Sequence, residues 1–395
     1  MKKDEQDRVI RLLMDHVDHD TNVDAGTMLK NPVSSYTDAD VARREWQHFF
    51  QDYPQMLGFS GDLPEPGSFF TSEDLGKPIL CTRDKDGEFR AFLNVCRHRG
   101  AVVEHEKRGR KTVFSCPFHA WGYSAAGDLV AVPKASHFGE IDKSCFGLVA
   151  LPAVERHGLL WVCANPDTSF NIDEMLGGLG AELAEWDFTS ATREWEATYD
   201  TAMNWKLAID TFGETYHFDT LHKDTLAPGV YCNCQAYDTY ARNHRMVLCH
   251  RGIDRMRDVP PEFWHVLFAG IPVYYIFPNV QIILGMNGPT LVRVYPRGEN
   301  PNDSYSEVAF YRKDYFPPKI TEHRDTRSPT ERAAGFASVI QSEDYWVAAS
   351  AHKGALSKAQ DFVVFGRNEP ALHHYHNTYR EALGMPPLET LEAAS

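Results

Sequence analysis

Two stretches decide the reading: Asn94-Val95-Cys96-Arg97-His98-Arg99-Gly100 and Cys116-Pro117-Phe118-His119-Ala120-Trp121, with 17 residues (99–115) between His98 and Cys116. Each supplies one cysteine and one histidine at close spacing. Zinc accepts two Cys and two His tetrahedrally, but finger-type spacing groups Cys with Cys and His with His. One Cys and one His per half suits instead a cluster in which two thiolates hold one iron and two imidazoles hold the other. Neutral imidazoles leave less negative charge on their iron than thiolates do. The reduction potential therefore rises above that of an all-cysteine cluster. Buried Cys and His without a metal seldom reproduce four ligands at this spacing in a frame punctuated by glycine and proline.

The flanking sequence is β-rich. Short apolar runs at 78–82, 89–95, 112–115, 148–150 and 159–163 read as strands, with hairpin-type turns at Asp84-Lys85-Asp86-Gly87 and Ala125-Ala126-Gly127-Asp128. They predict a small antiparallel β domain over 58–164. The two ligand stretches resemble the cluster-binding loops of Rieske proteins of the ring-hydroxylating oxygenase type. The likeness extends from Leu63-Pro64-Glu65-Pro66-Gly67 to Gly127-Asp128-Leu129. Position 120 is Ala where the family usually has Gly. The resemblance implies a [2Fe–2S] cluster on Cys96, His98, Cys116 and His119.

Residues 1–57 read as a polar, helical N-terminal segment packing on a catalytic domain, with Thr37-Asp38 capping a helix through Trp46 and Phe49-Phe50. Residues 165–395 read as that catalytic domain. It should hold a helix near 173–186, a strand near 193–201, a helical stretch 203–222, further strands between 230 and 312, and a long helix 329–358. Ser328-Pro329-Thr330-Glu331 is a strong start signal for the last. The fold class is α+β, an antiparallel sheet with helices (helix-grip type) beside the small β domain.

Within this second region, Gly213-Glu214-Thr215-Tyr216-His217-Phe218-Asp219-Thr220-Leu221-His222 resembles the catalytic iron motif of the same oxygenases. His217 and His222 match its histidine ligands and Glu214 the acid before them. Glu214 and His217 share a helix face at i, i+3. His222 lies about 140° round an ideal helix from His217, so both reach one metal only if the helix kinks or ends there. Two histidines and a carboxylate on one face of iron leave positions open for O₂ and substrate. The expected carboxylate is Asp344. It lies beside an apolar stripe of Phe336, Ile340, Val347 and Ala351, where an unpaired acid would be costly. Glu343, on the other shoulder of the stripe, is its rival. In the family the acid at 214, more often Asp, bridges an iron-ligand histidine to a cluster histidine of the neighbouring subunit. Carried over, Glu214 would link His217 to His119. Carnitine-type members also use Glu here. Asp210 stands where relatives often carry Asn, and an acid there could attract a cationic substrate.

Other features carry less. Cys232, Cys234 and Cys249 with His250 are poorly spaced for zinc. His373, His374 and His376 read as structural or surface residues. The formal net charge of -15 disfavours nucleic acid and anionic membrane as partners. Eight cysteines and an N-terminus without an apolar leader point to the cytoplasm. The run Lys107-Arg108-Gly109-Arg110-Lys111 is a solvated loop or a docking spot for an acidic donor. No dinucleotide fingerprint appears, so the chain does not take electrons from a nicotinamide cofactor by itself; the resemblance implies a separate NAD(P)H-dependent reductase, with or without a ferredoxin. The resemblance implies mononuclear Fe(II), O₂, a homotrimer and a small organic substrate, largely apolar and aromatic, or a quaternary amine. The activity expected is hydroxylation (mono- or dioxygenation) or oxidative demethylation. A Rieske electron carrier without oxygenase activity is the alternative from another class.

Overall fold

The computed structural model describes residues 1–317 and 327–391. They fall into two units, one of Met1–Trp46, Asp173–Trp186 and Thr192–Ser395, the other of Gln47–Ile172 and Asp187–Ala191.

The larger unit is built on a seven-stranded antiparallel sheet. Its spatial order is Thr192–Thr201, Ser304–Arg312, Gly288–Pro296, Val280–Gly285, Gly270–Ile276, Asn243–His250, Val230–Tyr240. The central strands are buried along almost their whole length, so both faces are covered. One face turns Gln281 and Tyr275 to helix Pro370–Ala382, where they bond the Tyr375 and Tyr379 hydroxyls at 2.9 Å each. The other turns Tyr274 to Trp186 and Glu182.

The N-terminal segment contains an element that was not expected. Strand Leu29–Pro32 pairs with Phe362–Phe365 and Glu389–Thr390, tying the start of the unit to its end. Asp38 caps Ala39–Glu45 as expected, its carboxylate accepting from Asp40 and Val41. Glu45 is buried and receives both Lys206 Nζ, at 2.5 Å, and Trp205 Nε1, at 3.0 Å. Removing either ionic partner would leave a buried charge unpaired.

The long C-terminal helix starts where its sequence says. Ser328 and Glu331 form a reciprocal capping box, with Pro329 in the first turn. The helix is not regular, however. Pro329–Val339 passes into a π turn over Ile340–Asp344 before Tyr345–Leu356 resumes. The wider turn shifts the phase of everything after it. Phe336, Ile340 and Asp344 face inward, but the stripe then continues through Tyr345, Ala348, His352 and Ala355. Val347, expected inside, is 39% exposed, and Ala351 is exposed too.

The smaller unit is all β apart from short turns. It has a five-stranded sheet, Ala150–Leu151, Phe89–Leu93, Ile79–Arg83, Ser68–Ser72, Arg108–Arg110, and two three-stranded ones. Strand Gln55–Phe59, which begins before position 58, pairs with Leu159–Val162. Among the described residues no helix is long and apolar enough to cross a membrane.

Candidate functional site

In the smaller unit two loops of like construction hold the four ligand candidates. The first is closed by a bridge between Val95 and Val102, the second by the pair Ser115 and Gly122. In each, the cysteine carbonyl accepts from the amide four residues on, Gly100 and Ala120, both at 2.9 Å. Both of those residues take positive φ, +75° for Gly100 and +57° for Ala120. Alanine in this conformation costs roughly 1–2 kcal/mol relative to glycine, which the second loop tolerates.

The loops sort their donors by type. Cys96 and Cys116 are buried in the core of the unit with Phe114, Trp121 and Tyr123, and the two thiols interact with each other. The rings of His98 and His119 meet edge to face with centroids 4.7 Å apart. Nδ1 of each histidine is buried with no hydrogen-bond partner. Orphaned buried nitrogens are costly and call for an occupant. Thiols on one side and unsatisfied imidazoles on the other fit a cluster with one Cys₂ iron and one His₂ iron, and fit a finger-type zinc poorly. Trp121 stacks on His98 at 4.9 Å.

Sequence reading missed Tyr123. Its hydroxyl lies 3.3 Å from Cys96 Sγ and accepts the Arg97 amide at 2.9 Å. With that amide donating to it, the hydroxyl is left to donate to the sulfur. Tyr123→Phe should therefore lower the cluster potential by roughly 20–60 mV, the equivalent of one lost hydrogen bond. Protein-film voltammetry would read the shift, and an unchanged potential would remove this role.

In the larger unit the expected helix over 203–222 is interrupted. Asn204 caps Trp205–Asp210, its side chain accepting from Lys206. The chain then turns at Gly213, where an added Cβ would lie 3.0 Å from the Tyr375 ring. A single 3₁₀ turn, Tyr216–Asp219, follows. This break removes the angular conflict between His217 and His222. Their Nε2 atoms are 3.2 Å apart, and Asp344 Oδ1 lies 3.1 Å from His222 Nε2 and 3.4 Å from His217 Nε2. Donors at right angles around one metal, each about 2.1 Å from it, would sit about 3.0 Å apart.

The tautomers point the same way. His217 Nδ1 faces Glu214, and His222 Nδ1 faces Glu343 at 2.7 Å. With each Nδ1 proton given to a carboxylate, the Nε2 lone pairs converge with Asp344, an arrangement that needs a cation at its centre. Without one, protons are drawn in. Burial works to lower the His217 pKa, but bonds to Asp344 and Glu214 push it up to about 9. Burial likewise works to raise Asp344, yet the two histidines hold its carboxyl below the usual range. The residues present therefore fit a mononuclear iron.

Glu343, weighed as a rival ligand, has another place. It braces His222 from behind and receives Thr225 Oγ1 at 2.9 Å. Both consecutive acids lie in the π turn and reach the same imidazole from opposite sides. Carboxylates placed this way orient and polarise a ligand histidine. Glu343→Ala should weaken iron binding 10- to 100-fold, read by chelator competition, with the cluster absorbance unaltered.

Asp210 requires correction. It does not line the cavity at the triad. The Tyr36 hydroxyl donates to its Oδ2 at 2.7 Å, and His376 Nε2 lies 2.9 Å from Oδ1. The short helix turns this acid toward the Leu29–Pro32 layer, so it is a buried structural carboxylate. His376 is buried with it.

Glu214, His222 and Asp344 open onto a cavity of about 480 Å³. Its other walls are chiefly apolar, among them Phe212, Phe218, Leu248, Ile283, Phe310 and Phe336. Ile340 and, from the strands, Val273, Leu284 and Thr290 complete them. The run Tyr274-Tyr275-Ile276-Phe277 is core.

One unit with an antiparallel sheet that presents two histidines and a carboxylate at the end of an apolar cavity, and another, all β, that presents paired thiols and imidazoles, together define a Rieske-type non-haem iron oxygenase. The family comparisons agree: "Rieske [2Fe-2S] domain" matches residues 54–150, and "Ring hydroxylating alpha subunit (catalytic domain)" matches residues 188–385. The chain belongs to the ring-hydroxylating oxygenase alpha-subunit family, whose members bind a Rieske [2Fe–2S] cluster and mononuclear iron. It is 26% identical to the carnitine monooxygenase oxygenase subunit of Escherichia coli (strain K12), over 88% of this chain and 91% of that protein. It is 31% identical to the large oxygenase component of the naphthalene 1,2-dioxygenase system of Pseudomonas aeruginosa, over 49% of this chain and 44% of that protein. The fold is similar to that of the quaternary ammonium Rieske monooxygenase CntA in complex with L-carnitine, with TM-score 0.74, 19% identity, and coverage of 91% of this chain and 96% of that one.

Proposed function

We propose that this oxygenase hydroxylates, or oxidatively demethylates, a small and largely apolar substrate carrying an aromatic ring. The observation that carries the reading is the convergence of His217, His222 and Asp344 at a cavity walled by phenylalanine and aliphatic side chains. Bound groups would supply one-electron transfer at Cys96, His98, Cys116 and His119, and O₂ activation at His217, His222 and Asp344. Glu214 and Glu343 keep the Nδ1 protons of His217 and His222 and fix both rings. The apolar walls exclude water and orient the substrate.

Oxygenases of this family draw electrons from a reductase, in some cases through a ferredoxin. We infer a head-to-tail homotrimer in which His119 of one subunit meets Glu214 of the next. Large apolar side chains stand exposed beside both centres: Phe118 at 56% and Phe138 at 47% near the cluster histidines, Tyr216 at 66% and Trp346 at 69% next in sequence to His217 and near Asp344. Such side chains need cover. The free cysteines are consistent with a reducing cytoplasm.

A quaternary-amine substrate is the second reading, favoured by the near full-length match to carnitine monooxygenase. Against it, Asp210, the acid suited to attract a cation, faces away from the cavity. Substrate-dependent O₂ uptake with a surrogate reductase decides between them. A panel of aromatic compounds and quaternary amines should give coupled uptake and product with the aromatic set. Turnover confined to the amines overturns the assignment.

A further inference from the structure

Helix Pro329–Val339 and the π turn after it form one wall of the cavity, contributing Pro329, Arg332, Ala333, Phe336, Ile340 and Asp344. Successive members are one to four residues apart, so one helix face runs along the cavity. Asp344 stands at the iron end. Arg332 stands 12 residues earlier, about 18 Å along the axis at ~1.5 Å per residue. Among the described residues lining the cavity, Arg332 is the single lysine or arginine, and the acids Glu214 and Asp344 both serve the iron end. Arg332 is half-buried and lacks a carboxylate partner among the described residues. Its guanidinium donates to the Asn287 side chain at 2.9 Å and to the Arg327 carbonyl. Both acceptors are neutral, so they position the fork without cancelling its charge. A cation in an otherwise apolar wall favours an anion, and the planar fork suits a carboxylate.

We infer that the substrate carries a carboxylate remote from the carbon that is oxidised, and that Arg332 binds it. This rests on the oxygenase reading and names its substrate class: an elongated, apolar, ring-bearing acid lying along the helix face. The carboxylate sits against Arg332, which Asn287 holds in place through its Oδ1 while its Nδ2 donates to Asp314 at 3.2 Å; the apolar body passes Phe336 and Ile340, and the far end meets the triad. Arg332 is then a specificity residue, acting on affinity and not on the chemical step.

The test is direct binding to the full-length protein, read by isothermal titration and ligand-induced thermal shift. The probes are ω-phenylalkanoic acids with side chains of two to eight carbons, each paired with its methyl ester. Wild type should bind at least one acid about 100-fold more tightly than its ester. Arg332→Met should abolish that preference while leaving ester affinity unchanged, and Arg332→Lys should restore part of it. Equal binding of acid and ester to wild type, no binding by any acid, or acid preference persisting in Arg332→Met would each overturn the inference. The wild-type comparison stands even if a variant fails to fold. Because binding is read without O₂ or reductase, failure here is distinct from failure of the oxygenase reading, which turnover tests separately.

Discussion

His217→Ala is expected to abolish product formation while leaving the cluster spectrum and acid-labile sulfide intact. The substitution removes one of three converging donors and leaves His222 and Asp344, which cannot hold iron on a complete face. It also takes the Nδ1 donor from Glu214, whose carboxylate keeps only the backbone amide of residue 217, at 3.1 Å. Turnover should fall by at least about 1,000-fold, or roughly 4 kcal/mol of transition-state stabilisation. The cluster lies in a unit with its own core and should be untouched. Product analysis beside the visible spectrum makes the check. Product from this variant at more than a few per cent of the wild-type rate would falsify the assignment.

Cys96→Ala should have the complementary effect. Cys96 is 3% exposed, packed with Trp121 and Tyr123. Its loss removes one thiolate of the pair and the acceptor of the Tyr123 hydroxyl. The cluster cannot assemble on one thiolate, so iron should drop from about three to about one per chain and the brown-red colour should vanish. Reductase-dependent turnover disappears with it, although the iron at the other centre remains. Because cluster binding contributes to folding, a lower melting temperature for the smaller unit should accompany the change. Iron and sulfide assays with calorimetry decide it. A coloured Cys96→Ala protein would remove Cys96 from the ligand set.

The parts of this molecule that were legible in sequence are those whose chemistry is local. The hairpin turns and the Ser328–Glu331 cap are properties of short segments, and the chain is built that way; the spacing of Cys96, His98, Cys116 and His119 is local too, and the fold brings the two thiols and the two imidazoles together. His217 and His222 carried a condition, that the helix stop between or before them. It stops at Asp210, and the chain then turns through Gly213, pressed against Tyr375. That contact joins residues far apart in sequence, so no local pattern announces it. Asp210 misled for a related reason. It was read from its place in a motif that resembles the family's, and such a likeness does not say which neighbours the side chain meets; here they are Tyr36 and His376. Strand Leu29–Pro32 escaped notice because both its partners lie more than three hundred residues later. Glu343 was visible as an acid near the site, but its bond to His222 depends on a turn that sequence propensity does not mark.

That turn has a consequence of its own. In a regular helix, neighbours are separated by about 100°, and the π turn changes that spacing where Glu343 and Asp344 meet the two nitrogens of His222. The extra residue in Ile340–Asp344 sets the phase of Asp344 and of everything after it, so the centre depends on chain length here as well as on residue identity. Deleting Gln341 would preserve every ligand and every acid, yet re-index the helix, swing Tyr345 and its followers out of the interior, and leave an iron site complete in composition and useless in shape.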